Sequence, residues 1–181
     1  MMLSSHDGTA WFIDETKARG YHVVATMVRP EDAEHVRKSM RALVRSGQRR
    51  LHFKAESPAS RRKLMAEIRR LPVAALVYSV HGEKDATARR MCLQALIEDA
   101  QTHHVRAVSL ERDESLMAAD RRILRDALDR IDYRESLRYE HLSPYEEPLL
   151  WISDAVAWCV QAGTTWRAAA SPLITKSRQL R

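Results

Sequence analysis

The spacing of apolar residues along the chain switches repeatedly between two periods, and each switch marks an element. Gly8 to Glu15 (GTAWFIDE) reads as a first strand. Gly20 to Val28 (GYHVVATMV) is rich in β-branched residues and reads as a second, and Thr16 to Arg19 suits a hairpin connection between them. Pro30 then fits the first position of a helix whose apolar stripe is Val36, Met40, Leu43 and Val44, with Gly47 as its stop. Leu51 to Lys54 is a short strand candidate. Ser57-Pro58 starts the next helix, with Leu64, Met65, Ile68 and Leu71 at helical spacing.

Val73 to Val80 (VAALVYSV) is almost wholly apolar, the pattern of a strand buried on both faces. A long helix over Asp85 to His104, a strand over Val105 to Glu111, a helix over Leu116 to Ile131 and a weak strand over Ser136 to Leu142 follow. Ser143-Pro144-Tyr145-Glu146 has the form of a capping box with Pro at the first helical position. It predicts a closing helix through Leu149 to Val160 and on toward Ala170. Residues 171–181 are polar and basic and read as a flexible tail. The expectation is one α/β domain over residues 1–170, with a mixed β-sheet flanked by helices and a long C-terminal helix. The first strand should pair antiparallel with the second and lie centrally, beside Val73–Val80 or Val105–Glu111.

Composition narrows the class. A chain of 181 residues with 45% hydrophobic and 30% charged residues has the balance of a globular domain with one core, which argues against long disorder. No apolar run approaches the ~18 residues of a membrane span. The N-terminus lacks a basic region followed by an apolar one, so no signal peptide is expected. Cys92 and Cys159 both sit in apolar helical patterns, which suits a reducing cytoplasm better than a disulfide scaffold. Zinc-ligand spacing, a phosphate-binding glycine loop, a dinucleotide fingerprint and a Gly-x-Ser-x-Gly elbow are all missing from the sequence, and five glycines are few for a nucleotide cradle.

Charge is unevenly placed. Between Arg29 and Arg70 there are 13 Lys and Arg against 5 Asp and Glu, a net of +8, whereas the rest of the chain sums to −2. Such a segment is either a nucleic-acid footprint, carried by Arg49, Arg50, Arg61, Arg62 and Lys63, or a set of solvated helix faces.

Three acids are candidates for chemistry. Asp14 and Glu15 end the first strand, and in a pleated strand only one of them can face a given site. Asp154 is the only charge between Leu149 and Val160, with Trp151 and Trp158 at i−3 and i+4. A carboxylate in that setting is costly to desolvate unless it meets a cation, a metal or donors; the bland alternative is an ion pair with a core-edge Arg. Glu111 ends a strand, with Asp113 two residues on; either acid also suits a helix cap. His52 and Lys54 flank Phe53 and can contact phosphate, though a plain surface His is the common outcome. His103-His104 at a helix end suits the helix dipole better than a metal.

Three segments together resemble a known family. Phe12-Ile13-Asp14-Glu15-Thr16 looks like an opening Asp-Glu-Ser strand, Leu51-His52-Phe53-Lys54 like a short Leu-His-Phe-Lys element, and Ile152-Ser153-Asp154-Ala155 like a closing Leu-Ala-Asp helix. The family is domain of unknown function 3800, whose fold is similar to ribonuclease H and the retroviral integrases, and the resemblance spans about residues 9 to 160. It implies a ribonuclease-H-like fold in which Asp14 and Asp154, with an acid from a central strand, hold Mg²⁺ or Mn²⁺ for phosphodiester hydrolysis of a nucleic acid. Family members often read Asp-Glu-Arg on that central strand; here Leu110 stands in place of the aspartate, before Glu111 and Arg112. Glu111 or Asp113 is then the substitute for that aspartate, and the reading adopted is a divalent-metal-dependent nuclease, or related phosphoryl-transfer enzyme, with Asp14, Glu111 and Asp154 as catalytic metal ligands and His52 and Lys54 positioning phosphate. The alternative is a catalytically degenerate nucleic-acid- or protein-binding module on the same fold.

Overall fold

A computed structural model describes residues 8–181. Six strands form one mixed sheet in the order β5-β4-β1-β2-β3-β6. β1 (Ala10–Thr16) and β2 (Tyr21–Val28) make an antiparallel hairpin, and β3 (Val73–Val80) pairs antiparallel with β2. β4 (Ala107–Glu111) runs parallel to β1, and β5 (Arg138–Leu142) parallel to β4. β1 is thus central, as the apolar pattern predicts, with β4 as its neighbour on the side away from the hairpin. β2 and β3 are buried along their whole length, because helices cover both faces of the sheet.

The two faces make two cores. Trp11, Ile13, Val108 and Leu110 point to one, under α3 (Asp85–Thr102) and α4 (Met117–Arg130). Phe12, Val24 and Val77 point to the other. That face lies under α1 (Pro30–Ala42), α2 (Pro58–Ile68), α5 (Leu149–Gln161) and α6 (Thr164–Ala170). Cys92 and Cys159 are free and buried, one in each core. Among the described residues, no helix is long and apolar enough to cross a membrane.

Three expectations need correction. Residues 171–181 are not a flexible tail: a short 3-10 turn over Ser171–Leu173 leads into β6 (Ile174–Leu180), parallel to β3 at the sheet edge. Leu173 is buried in the core, and the basic residues that resembled a tail are held by α3. Lys176 pairs with Asp99 at 3.0 Å, and Arg178 reaches Asp99 at 3.1 Å and Glu98 at 3.4 Å. Leu51 to Lys54 is not a strand. Leu51 and His52 are irregular and Phe53–Ala55 is a 3-10 turn, because the backbone of Phe53 bonds to side chains instead of a neighbouring strand.

The closing helix also differs. The Ser143 hydroxyl accepts from the Tyr145 amide at 3.2 Å, but α5 starts only at Leu149, after Pro148, and Glu147 takes the Leu149 amide at 3.0 Å. α5 stops before Gly163, whose φ of 111° lies in the region that favours glycine, so the expected single long helix is two, α5 of 13 residues and α6 of 7.

Candidate active site

The end of β1 decides which acid faces which side. Phe12 and Asp14 share the α5 face of the sheet; Trp11, Ile13 and Glu15 share the α3 face. Glu15 is taken up there by Arg89 of α3, which also pairs with Asp120 of α4 at 2.6 Å; Asp120 in turn meets His141 of β5 at 3.0 Å. Asp14 is left on the α5 side, with its Oδ1 accepting the Glu15 amide at 2.7 Å.

β4 brings Glu111 beside it. The parallel register pairs Phe12 with Ser109 and Ile13 with Leu110, so the next step sets Asp14 next to Glu111. Leu110, where the resembled family carries an acid, points into the α3–α4 core and is 1% exposed. Its neighbour Glu111 is the residue at the hollow. Asp113 lies on the rim, but its Oδ1 is occupied by the Ser115 amide at 2.9 Å and hydroxyl at 2.6 Å, the behaviour of a cap.

α5 supplies the third acid, and Ser153 sets its position. The buried Ser153 hydroxyl donates to the Phe12 carbonyl at 2.7 Å and accepts from Thr26 at 2.7 Å, pinning the helix to β1 and β2 one residue before Asp154. Asp154 Oδ2 accepts the Phe53 amide at 3.0 Å and lies 3.6 Å from His52 Nδ1. Among the described residues no Arg pairs with Asp154, so the structural ion pair weighed from sequence is not formed. Trp158 lines the hollow beside it, whereas Trp151 turns inward and donates its Nε1 to the Pro144 carbonyl at 2.6 Å.

These groups converge on one hollow of about 420 Å³, lined by Asp14, Glu111, Asp154, His52, Lys54 and Trp158 among others. Burial, reinforced by the Glu111 and Asp154 carboxylates, pushes Asp14 well above the usual carboxylate range. Burial also raises Glu111; Asp154 and Glu15 add to this, whereas Arg50 and a hydrogen bond with Asp14 oppose it. Asp14 and Glu111 are therefore held against ionisation, first by burial and then by neighbouring carboxylates.

The basic residues anticipated as a single nucleic-acid patch separate into three groups. Arg49 and Arg50 both lie over the ring of Tyr145 at 5.1 Å, and Tyr145 is the one large apolar side chain in the open among the described residues. Arg61 is not available as a surface contact. It stacks on Trp158 at 4.1 Å and donates to the carbonyls of Phe53 and Lys54 at 2.9 and 2.6 Å, so it braces the 3-10 turn. Arg62 and Lys63 are exposed on α2, and Lys63 borders a separate hollow with Leu43 and Arg45. Arg61, Ser153 and Arg89 escape a reading of local pattern because each acts through a partner distant in sequence.

The donor chemistry of the hollow suits a hard divalent cation, since its acids offer carboxylate oxygens and the space admits water. Among the described residues, no group of three or more His, Cys, Asp or Glu side chains is already arranged to hold a metal ion. Side chains at the hollow therefore have to shift to share one.

The fold is similar to a chain in the structure of the PCNA:RNase HII complex from Archaeoglobus fulgidus, with a TM-score of 0.57 and 16% identity over 85% of this chain and 73% of that one. No family model matches the chain, and no curated protein matches it. The architecture is ribonuclease-H-like: a mixed six-stranded sheet with helices on both faces.

Proposed function

We propose that the protein is a divalent-metal-dependent nuclease, or a related phosphoryl-transfer enzyme, acting on nucleic acid. The observation that carries this reading is the convergence of Asp14, Glu111 and Asp154 from β1, β4 and α5 on one hollow. Of these acids from three elements, Asp14 and Glu111 have raised pKa values, chiefly through burial and further through neighbouring carboxylates, and Mg²⁺ or Mn²⁺ suits their oxygens. A metal bound there would neutralise charge on a phosphodiester. The likeness to a fold found in a ribonuclease complex supports the same chemistry. We further propose kinship with domain of unknown function 3800, whose three segments meet at this hollow.

The protein's own residues have separable roles in this reading. Asp14, Glu111 and Asp154 hold the metal. His52 and Lys54, at the mouth of the hollow, meet the incoming phosphate. Arg61 and the Phe53 amide keep the 3-10 turn that carries both against α5. Trp158 walls one side and limits water. The test is cleavage of labelled RNA, DNA and RNA–DNA hybrid with Mg²⁺ or Mn²⁺. Activity in the parent that is lost in both Asp14→Asn and Asp154→Asn supports the reading. Salt-dependent binding without cleavage of any substrate would instead identify a binding module on this fold.

A further inference from the structure

A second hollow opens on the same face of the sheet. It measures about 310 Å³ and is lined by His22, Ser79, His81, Arg167, Ser177 and Gln179 among others, with no Asp or Glu among its described lining residues. Its position follows from the strand register. Thr16, which lines the carboxylate hollow, pairs with His22, which lines this one, so the two hollows have lining residues on directly paired positions of β1 and β2. α5 borders both, through Ala157 and Trp158 on one side and Val160 on the other.

Its polar groups offer donors. Arg167 donates from Nε and Nη2 to the Val160 carbonyl at 3.2 and 2.8 Å, which fixes the guanidinium and leaves Nη1 uncommitted. It forms no ion pair among the described residues. The buried His22 is part of the frame. Its Nε2 meets the Arg19 carbonyl, which only accepts, at 3.3 Å, so its Nδ1 accepts from Ser79 at 2.8 Å. His81 is exposed and rests edge-on against His22, ring centroids 5.5 Å apart. Gly20 leaves room for it: a Cβ there would overlap the His81 ring, and φ at Gly20 is +109°. A fixed guanidinium, a free imidazole and the exposed Ser177 hydroxyl, with no acid among them, match the oxygens of a phosphate group.

We infer that the His81–Arg167 hollow binds a phosphate group of a nucleic-acid ligand whose strand continues into the neighbouring carboxylate hollow. The inference rests on the nuclease reading for its ligand, but on its own residues for its chemistry. A strand crossing both places one phosphate on His81 and Arg167 while the carboxylate hollow receives another.

The experiment is fluorescence anisotropy of a labelled single-stranded oligonucleotide, without divalent metal, over a salt series. The proteins are the parent, His81→Ala and Ser177→Asp, both changes being at exposed positions. Each variant should weaken binding about tenfold, as expected for losing or opposing one charge-assisted contact. Ser177→Asp, which sets a negative charge in the hollow lined by Arg167, should also flatten the slope of log affinity on log salt by about 0.7, the share of one phosphate on a single strand. Inorganic phosphate should in addition move the Arg167 Nε–H resonance of the parent. Comparing 5′-phosphorylated with unphosphorylated oligonucleotide separates the sources: a loss confined to the phosphorylated form identifies an end phosphate, and an equal loss identifies an internal diester.

Parent-like affinity and slope in both variants would overturn the inference, as would an unmoved Arg167 resonance. The outcome is independent of the nuclease test. Variants that bind normally while Asp154→Asn abolishes cleavage remove only this subsite. Weakened variants of a parent that cleaves nothing remove only the nuclease.

Discussion

The Phe53 amide donates a 3.0 Å hydrogen bond to Asp154 Oδ2, joining residues 101 positions apart in sequence. One bond thus ties the turn that carries His52 and Lys54 to the helix that carries an acid. Asp154 itself lines the hollow. The two halves of the candidate site, anionic and cationic, are set against each other by a backbone group and a side chain.

Arg61 secures the other side of that turn, so it should matter for stability more than for charge. Arg61→Ala removes two hydrogen bonds to carbonyls and the stack on Trp158, at an expected cost of about 2 kcal/mol. Arg61→Lys should recover little, because an ammonium cannot serve both carbonyls and the ring in one geometry. Arg62→Ala and Lys63→Ala, at exposed positions, should change stability by less than about 0.5 kcal/mol. Urea denaturation of the four variants checks the order.

The Glu15–Arg89–Asp120–His141 cluster lies in the opposite layer, and Arg89 is 5% and Asp120 1% exposed. Arg89→Met leaves two acids without their cation and should cost about 3–5 kcal/mol, the range for breaking a buried pair. Measured by denaturation, a loss below about 1 kcal/mol would show that water reaches the acids and compensates them.

Several elements were legible because their cause is local. The parity of a pleated strand separates Asp14 from Glu15 and assigns one to each face. The apolar run of Val73–Val80 marks a strand buried on both sides. What was not legible depends on distant partners. β6 resembles a tail because Lys176 and Arg178 find their acids only on α3. Leu51 to Lys54 has the composition of a strand, yet Asp154 and Arg61 take its backbone groups. Arg61 reads in the sequence as one more basic residue because Trp158, on which it stacks, lies 97 positions away. Asp14, Glu111, Asp154, His52 and Lys54 stand out in the sequence as residue types in strand-end, turn and helix settings; their convergence on one hollow is a property of the tertiary fold.

β6 provides a prediction from that corrected region. Ending the chain at Leu173 removes the strand that covers the edge of β3 and takes away the cationic partners of Asp99, leaving it the Tyr78 hydroxyl. The shortened protein should lose on the order of 3 kcal/mol, from the surface covered by the half-buried Ile174 and Leu180 and from ladder hydrogen bonds. It should also self-associate through the freed edge. Denaturation and size-exclusion chromatography read the two effects.

Acid should weaken the fold at Glu56. Burial opposes its ionisation, but hydrogen bonds from Ser60 and Gln48 and the Arg45 guanidinium outweigh that and hold its carboxyl below the usual range. Because the folded pKa lies below the unfolded value of about 4.3, the stabilisation is complete above the unfolded pKa. It is lost as pH falls through the lower folded pKa. The destabilisation caused by Glu56→Gln should accordingly be constant near neutrality and shrink below about pH 4. A difference that does not change with pH would show that Glu56 acts by packing alone.

The central claim is that Asp14, Glu111 and Asp154 form a metal site, and thermal melting with and without Mg²⁺ or Mn²⁺ tests it most directly. Without metal, Asp14→Asn should melt above the parent, because the change relieves crowding among like charges. With metal, the parent should gain stability, about 2.7 kcal/mol at a hundredfold excess over the dissociation constant, while Asp14→Asn and Asp154→Asn gain little. A parent whose melting temperature ignores both ions, or rises equally in the variants, would contradict the account.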